Sequence, residues 1–240
     1  MALPMQNAVT YHTVIPSSGK EINYRPFLIK DEKELMIAQQ SEDIKVMVNS
    51  LKNVIKNCVK EEIDVDTLAT FDIEYLFTQI RAKSVGEQVE LMLKCDVDHG
   101  DDNEKAVAKV SVDLTSLEVK KPEGHTNKID LYDDVSVTMK YPSFDVVSKL
   151  QNVNQADMNI IFEIMIGCMD TIYNTNEIFH VKEQTKDEMI EFLNNLSSTQ
   201  FEKIQNFFNT MPSLSKEIKY NCPVCNKEHT KVIEGLQSFF

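Results

Sequence analysis

The chain has 240 residues, 42% hydrophobic and 26% charged, the balance of a globular protein with one large domain or two small ones. Its formal net charge of -13 repels a phosphate backbone, and its lysines are interleaved with Asp and Glu rather than gathered into a basic patch, so direct nucleic-acid binding is not expected. The first residues lack a charged leader, and the most apolar stretch, Met158 to Met169, is interrupted by Asn159 and Glu163 and is too short to cross a bilayer, so neither export nor membrane insertion is expected.

In chain order, Val9 to Ile15 alternates as a strand, Pro16-Ser17-Ser18-Gly19 is a turn, and Glu21 to Leu28 is extended again, predicting an N-terminal β-hairpin. Helical spacing then takes over from Leu35 and Ala38. Leu51, Val54, Ile55 and Cys58 form a one-sided apolar stripe. A second helix near Asp72 carries Ile73, Leu76, Phe77 and Ile80, with Thr70 as its N-cap and Gly86 as its end. The middle alternates in strand fashion around Val89 to Leu93, Val107 to Leu114 and Val135 to Met139, which predicts an antiparallel meander.

After Pro142 the pattern is helical. A short helix is capped by Ser143, and a longer one, apolar on most sides, runs from Gln155 to Tyr173. Two capping boxes follow, Thr185 with Glu188 and Thr199 with Glu202, before Pro212 stops the last helix. The fold class is therefore α+β. Its stretches are an N-terminal hairpin (1–32), a helical block (33–86), the meander (87–142), a second helical block (143–215) and a C-terminal knuckle-like hairpin (216–240), expected to form one compact unit.

The strongest chemical signal is Cys222-Pro223-Val224-Cys225 on a turn between strand-like segments, half of a zinc knuckle. Four ligands are needed for a structural zinc. His229, four residues on, is one candidate; Cys95 with His99, on another turn, is the other, and it requires the middle strands and the terminal hairpin to touch. The alternatives stay open: no cofactor, or one structural zinc. A redox role is not expected, because a strand rather than a helix follows the motif. The five cysteines are an odd and scattered set, which suits a reducing cytoplasm, with Cys58 and Cys168 as small buried residues.

Other patterns read as ordinary structure. Ser17-Ser18-Gly19-Lys20 lacks the upstream glycine of a phosphate loop, and Asp98 to Asp102 lacks the terminal Glu of a calcium loop. His12, His125 and His180 stand without a nucleophile, and the phenylalanines Phe201, Phe207 and Phe208 have core spacing. No catalytic constellation emerges, so a non-enzyme is expected.

Three blocks carry a resemblance: Pro16 to Lys30, including Tyr24-Arg25-Pro26-Phe27; Phe71 to Phe77 with Arg81 to Glu87; and Cys222 to Cys225 with Gly235 to Phe240. Together they resemble the baseplate hub and hub assembly proteins of T-even-like contractile-tailed bacteriophages. The resemblance implies a non-enzymatic role in building the baseplate hub, as a subunit or an assembly chaperone. Its partners would be other hub proteins, with no membrane or direct nucleic-acid contact and with oligomerisation left open. It implies the cytoplasm of an infected bacterium, or the tail baseplate of the virion. Tyr24, Arg25 and Phe27, and Leu236, Phe239 and Phe240 in the tail, are the expected partner contacts, through addition of a partner strand. Where the resemblance implies Gly after the second cysteine of the turn, Asn226 stands, a residue that also tolerates the left-handed conformation. A zinc-stabilised adaptor regulating a nucleic-acid machine is the alternative function.

Overall fold

The computed structural model describes residues 9–41, 43–148 and 158–235. The first turn cluster does reverse the chain. β1 (Tyr11–Val14) pairs antiparallel with β2 (Glu21–Tyr24), Tyr11 opposite Tyr24, and Gly19 takes the positive φ of 69° that the tight return needs. The extended stretch is shorter than its alternation suggests, because α1 (Ile29–Ser41) already starts where Leu28 was expected to close the strand. α2 (Ile44–Cys58) packs on α1 and begins at an Asp43 cap that accepts from the Lys45 N–H. Its predicted stripe of Leu51, Val54, Ile55 and Cys58 is buried. α3 (Thr70–Val85) buries Ile73, Leu76 and Ile80 and ends against Gly86 at φ 142°. Thr70 is not its cap: the residue lies in the first turn, and its hydroxyl donates to the Pro142 carbonyl at 2.9 Å. Buried Asp72, in the first turn at the positive helix end, accepts from the Ser17 N–H at 2.9 Å and so ties the hairpin turn to α3.

The middle strands do not form a single meander. β3 (Gln88–Lys94) pairs antiparallel with β4 (Val107–Asp113), as the alternation suggests. Asp113 then caps a single 3₁₀ turn at Leu114–Ser116 and sends the chain away into β5 (Glu118–Lys120). β6 (Lys128–Tyr132) and β7 (Val135–Met139) pair with each other. α4 (Phe144–Ser148) and α5 (Met158–Gly167) follow, then β8 (Met169–Tyr173), β9 (Ile178–His180), α6 (Lys186–Asn194), α7 (Ser198–Asn209), β10 (Ser213–Asn221) and β11 (Glu228–Glu234).

The predicted helix from Gln155 to Tyr173 is thus corrected. Its residues 155–157 lie outside the described residues, and its last turn and a half is strand β8, lying between β7 and β9 in a four-stranded sheet of order β6-β7-β8-β9. A short run that continues an apolar segment has no periodicity of its own to separate helix from strand; here β-branched Thr171 and Ile172 and aromatic Tyr173 complete the sheet.

The chain divides into two compact units. One comprises the residues up to Val65, Phe71–Lys120 and those from Ser213; the other comprises Asp66–Thr70 and Lys121–Pro212. In the first, β10 pairs with both β11 and β5, and Leu93, Val112, Leu114, Leu117, Leu214, Ile218, Tyr220 and Ile233 share one core. In the second, Val137, Met139, Met165, Cys168, Met169, Met189, Leu193, Ile204 and Phe207 share another. Cys58 and Cys168 are both buried, and burial pushes each thiol up to about 12, as inert core residues require.

The Thr185–Glu188 capping box is formed at α6. The second box is two residues earlier than Thr199 and Glu202 suggest: Ser197 accepts from the Gln200 N–H, and the Gln200 side chain accepts from the Ser197 N–H. Ser-x-x-Gln satisfies the same two orphan donors as Thr-x-x-Glu, and its position fits the loop from α6. Ser197→Ala should cost about 1 kcal/mol of stability, and Thr199→Ala only a few tenths, in urea unfolding of the two variants. Equal losses would mean that the helix starts at Thr199 after all.

Candidate metal centre

Two β-hairpins of the same unit supply the site. β3 ends at Lys94, and the next residue, Cys95, donates its N–H to the Ala106 carbonyl, so the thiol sits at the mouth of the β3–β4 loop. That loop is held by its own side chains. Asp98 accepts from the Gly100 N–H at 2.9 Å and from Asn103 Nδ2 at 2.7 Å, and the His99 N–H donates to Asn103 Oδ1 at 2.8 Å. The acidic cluster is a structured turn, as expected, and it fixes the backbone that presents His99.

The β10–β11 hairpin supplies the other half. Its strands run in register from Ser215 opposite Glu234 to Asn221 opposite Glu228. Cys222 donates its N–H to the Lys227 carbonyl, Asn226 donates to the Cys222 carbonyl, and Asn226 takes a φ of 59°. This is the left-handed position that the turn requires, filled by the residue type that tolerates it after glycine. The two turns share a further detail. The Val97 N–H donates to the Cys95 sulfur and the Val224 N–H to the Cys222 sulfur, both at 3.4 Å. Each leading cysteine thus receives an N–H from the residue two positions on.

The hairpins meet. The Tyr220 hydroxyl donates to the Lys94 carbonyl at 2.7 Å, and Leu93 and Val112 share a core with Ile218 and Ile233. The contact on which a four-ligand set depends is therefore present. One ligand atom each from Cys95, His99, Cys222 and Cys225 lies within 4.8 Å of all the others. Cys95 Sγ is 4.0 Å from Cys225 Sγ, and Cys222 Sγ is 3.5 Å from His99 Nε2. Cys222 is buried, Cys95 and His99 are half-buried, and Cys225 is exposed.

The thiols differ electrostatically. Burial works to raise the Cys222 thiol, but the Cys225 and Val224 N–H groups and then the neighbouring thiols outweigh it and bring it down to about 6. Burial raises the Cys95 thiol against the pull of the Val97 N–H, and Cys222 and Cys225 raise it further. The two N–H groups aimed at the Cys222 sulfur thus favour its thiolate form.

His229 occupies a different place from the one its spacing suggests. It lies on β11 opposite Tyr220, buried, with its ring stacked on Tyr220 at 5.3 Å. Its Nε2 is 3.2 Å from Cys95 Sγ, and its Nδ1 faces Asp96 Oδ2 at 3.4 Å. Asp96, Tyr220 and the Val97 N–H carry no sequence signal of their own; only the strand register brings them here.

The residues expected to meet partners are placed less openly. Tyr24 is 2% exposed, and burial, ahead of its neighbouring tyrosines, pushes its hydroxyl up to about 12. Arg25 pairs with Asp31, and half-buried Phe27 packs on Phe77 at 5.7 Å. The outer edge of β2 is used within the chain, since Lys60 donates to the Asn23 carbonyl and Arg25 to the Cys58 carbonyl. Leu236, Phe239 and Phe240 lie outside the described residues. Two surface depressions of the second unit are lined mainly by apolar side chains, one around Ile172, Phe179 and Phe192 and one around Ile161, Met165 and Phe208. Glu188, at the first, is committed to its capping box.

A family model described as T4 bacteriophage base plate protein matches residues 8–240. The chain belongs to that family. It is 25% identical over 227 residues to the baseplate hub assembly protein gp26 of Enterobacteria phage T4, covering 92% of this chain and 93% of that relative. No solved structure matches it. The baseplate resemblance carried by the three sequence blocks thus holds across nearly the whole length, and the mixed α and β architecture with its terminal Cys-x-x-Cys hairpin accompanies it.

Proposed function

We propose that this chain acts in building the baseplate hub of a contractile phage tail, through contacts with other baseplate proteins and without a chemical conversion of its own. The observation that carries this reading is the family match over residues 8–240, joined to near full-length similarity to a relative named for hub assembly. Composition supports it. The charge of -13 disfavours nucleic acid and favours a basic protein surface. Ile29, Met36 and Ile37 on α1 and Met47 on α2 are exposed apolar side chains, of the kind that a larger assembly covers. The place of action is the cytoplasm of the infected bacterium, with the chain either leaving as a chaperone or remaining in the baseplate.

The Cys/His cluster favours a second reading, a zinc-stabilised adaptor of a nucleic-acid machine, but that reading also needs a basic face, which the charge distribution opposes. Infection with phage carrying an early stop in this reading frame decides between them. Under the assembly reading, finished hubs and tails disappear while heads accumulate, and an affinity-tagged chain supplied in trans restores tails and brings down baseplate proteins. Normal tail yield from the mutant phage, with loss of replication or transcription instead, overturns it.

A further inference from the structure

We propose that Cys95, His99, Cys222 and Cys225 bind one zinc ion that clips the β3–β4 loop to the β10–β11 turn, and that His229 serves this ion as a hydrogen-bond donor to a ligand sulfur rather than as a ligand. The inference is independent of the assembly reading.

Distance argues first. A tetrahedral zinc with sulfur ligands at about 2.3 Å separates those sulfurs by about 3.8 Å, and a sulfur from a ligand nitrogen by a little less. The structure has 4.0 Å between Cys95 and Cys225 sulfurs and 3.5 Å between the Cys222 sulfur and His99 Nε2. These two edges are therefore already close to those of the coordination polyhedron, and all four ligand atoms lie within 4.8 Å of one another.

Donor chemistry argues second. Three thiolates and one imidazole form a soft, closed set of four, which suits zinc and disfavours calcium or magnesium, whose ligands are oxygens. A closed set leaves no position for water or substrate, so the role is structural. The two turns approach from separate hairpins, each with an N–H aimed at its leading sulfur. Such donors offset the excess negative charge that three thiolates leave on a divalent ion.

His229 completes that outer layer. With Nδ1 facing Asp96 and its ring against Tyr220, its Nε2 points at Cys95 Sγ from 3.2 Å. Nε2 donating to the sulfur while Nδ1 donates to the carboxylate takes the imidazolium form of the ring, in which both nitrogens carry a proton, and the neighbouring carboxylate then fixes the ring as outer partners of metal ligands do. The four-atom ligand group closes without it.

The test uses the full-length chain purified under reducing conditions. Elemental analysis should find one zinc per chain. Replacement by Co²⁺ should give the visible absorption and sulfur-to-metal charge-transfer bands of a tetrahedral thiolate site, an assay that needs no variant. Chelation should lower the melting temperature, and zinc should restore it. His99→Ala should abolish stoichiometric metal, whereas His229→Gln should keep one zinc with affinity weakened about 10- to 100-fold. Zinc-free protein with a silent cobalt titration overturns the site. Retained zinc in His99→Ala, with loss in His229→Gln, overturns the ligand assignment.

Discussion

Arg25→Ala should lower the free energy of unfolding by about 3–5 kcal/mol. The reason is the carboxylate it would abandon. Asp31 is 1% exposed, in the first turn of α1, and Arg25 Nη1 lies 2.6 Å from its Oδ2. The same oxygen accepts from the Leu28 N–H at 2.9 Å, and Oδ1 is buried without a hydrogen-bond partner among the described residues. Burial pushes the Asp31 carboxyl up, and the Arg25 hydrogen bond, with help from Leu28, outweighs it and holds the group below the ordinary carboxylate range. Because the folded value is depressed, the stabilisation is complete above the unfolded value of about 4 and is lost as pH falls through the folded one. In Arg25→Ala burial is opposed only by the Leu28 N–H and the Lys30 charge, the carboxyl rises, and acid then favours the folded variant. The gap between wild type and variant should be widest near neutral pH and should close below about pH 4. Urea unfolding at both values reads it. Arg25→Met with Asp31→Leu should be close to neutral, since no charge is left unpaired. A single variant that loses under about 1 kcal/mol at neutral pH would show the pair to be solvated rather than buried.

Features whose physics is local were legible in the sequence. The Thr185–Glu188 box depends on two hydrogen bonds spanning three residues, and the α2 stripe on spacing along one helix, so both appear where the pattern puts them. The Cys-x-x-Cys turn is likewise self-contained, down to the left-handed Asn226. Features decided by a distant partner were not. β8 is a strand because β7 and β9 pair with it, and β5 lies beside β10 because Asp113 caps a turn that redirects the chain. Alternation identifies a strand and which face is apolar, but not its neighbour.

The candidate metal centre divides along the same line. Each half is visible as a short motif, and the sequence frames the condition for joining them. Whether the halves meet depends on Tyr220 reaching the Lys94 carbonyl and on a shared core of Leu93, Val112, Ile218 and Ile233, contacts between segments more than a hundred residues apart. His229 shows the limit of spacing. Four residues after Cys225 is a ligand interval, yet pairing with Tyr220 on a regular hairpin places the imidazole beside Cys95.

Phe207→Ala should cost about 3–5 kcal/mol and act on the second unit's core. Phe207 is 3% exposed near the C-terminal end of α7, and its ring meets His125 at 5.1 Å, Tyr141 at 5.7 Å and Phe208 at 5.3 Å. The ring also covers a polar pair: His125 binds the Thr210 hydroxyl through Nδ1 at 2.9 Å and the Tyr141 hydroxyl through Nε2 at 3.1 Å. Deleting Phe207 therefore removes apolar burial, leaves a cavity between aromatic faces that cannot slide together, and opens those hydrogen bonds to water. Phe201 and Phe208, on the same helix but only half-buried, have less surface to lose, so each alanine variant should cost clearly less than Phe207→Ala. Chemical unfolding of the three variants, with helical content checked by circular dichroism, ranks them. Phe207→Leu should recover a large part of the loss by refilling volume. If all three alanine variants lost the same amount, the aromatic cluster around His125 would not be the anchor of α7, and the helix would be held instead by Ile204, the fully buried residue one turn earlier.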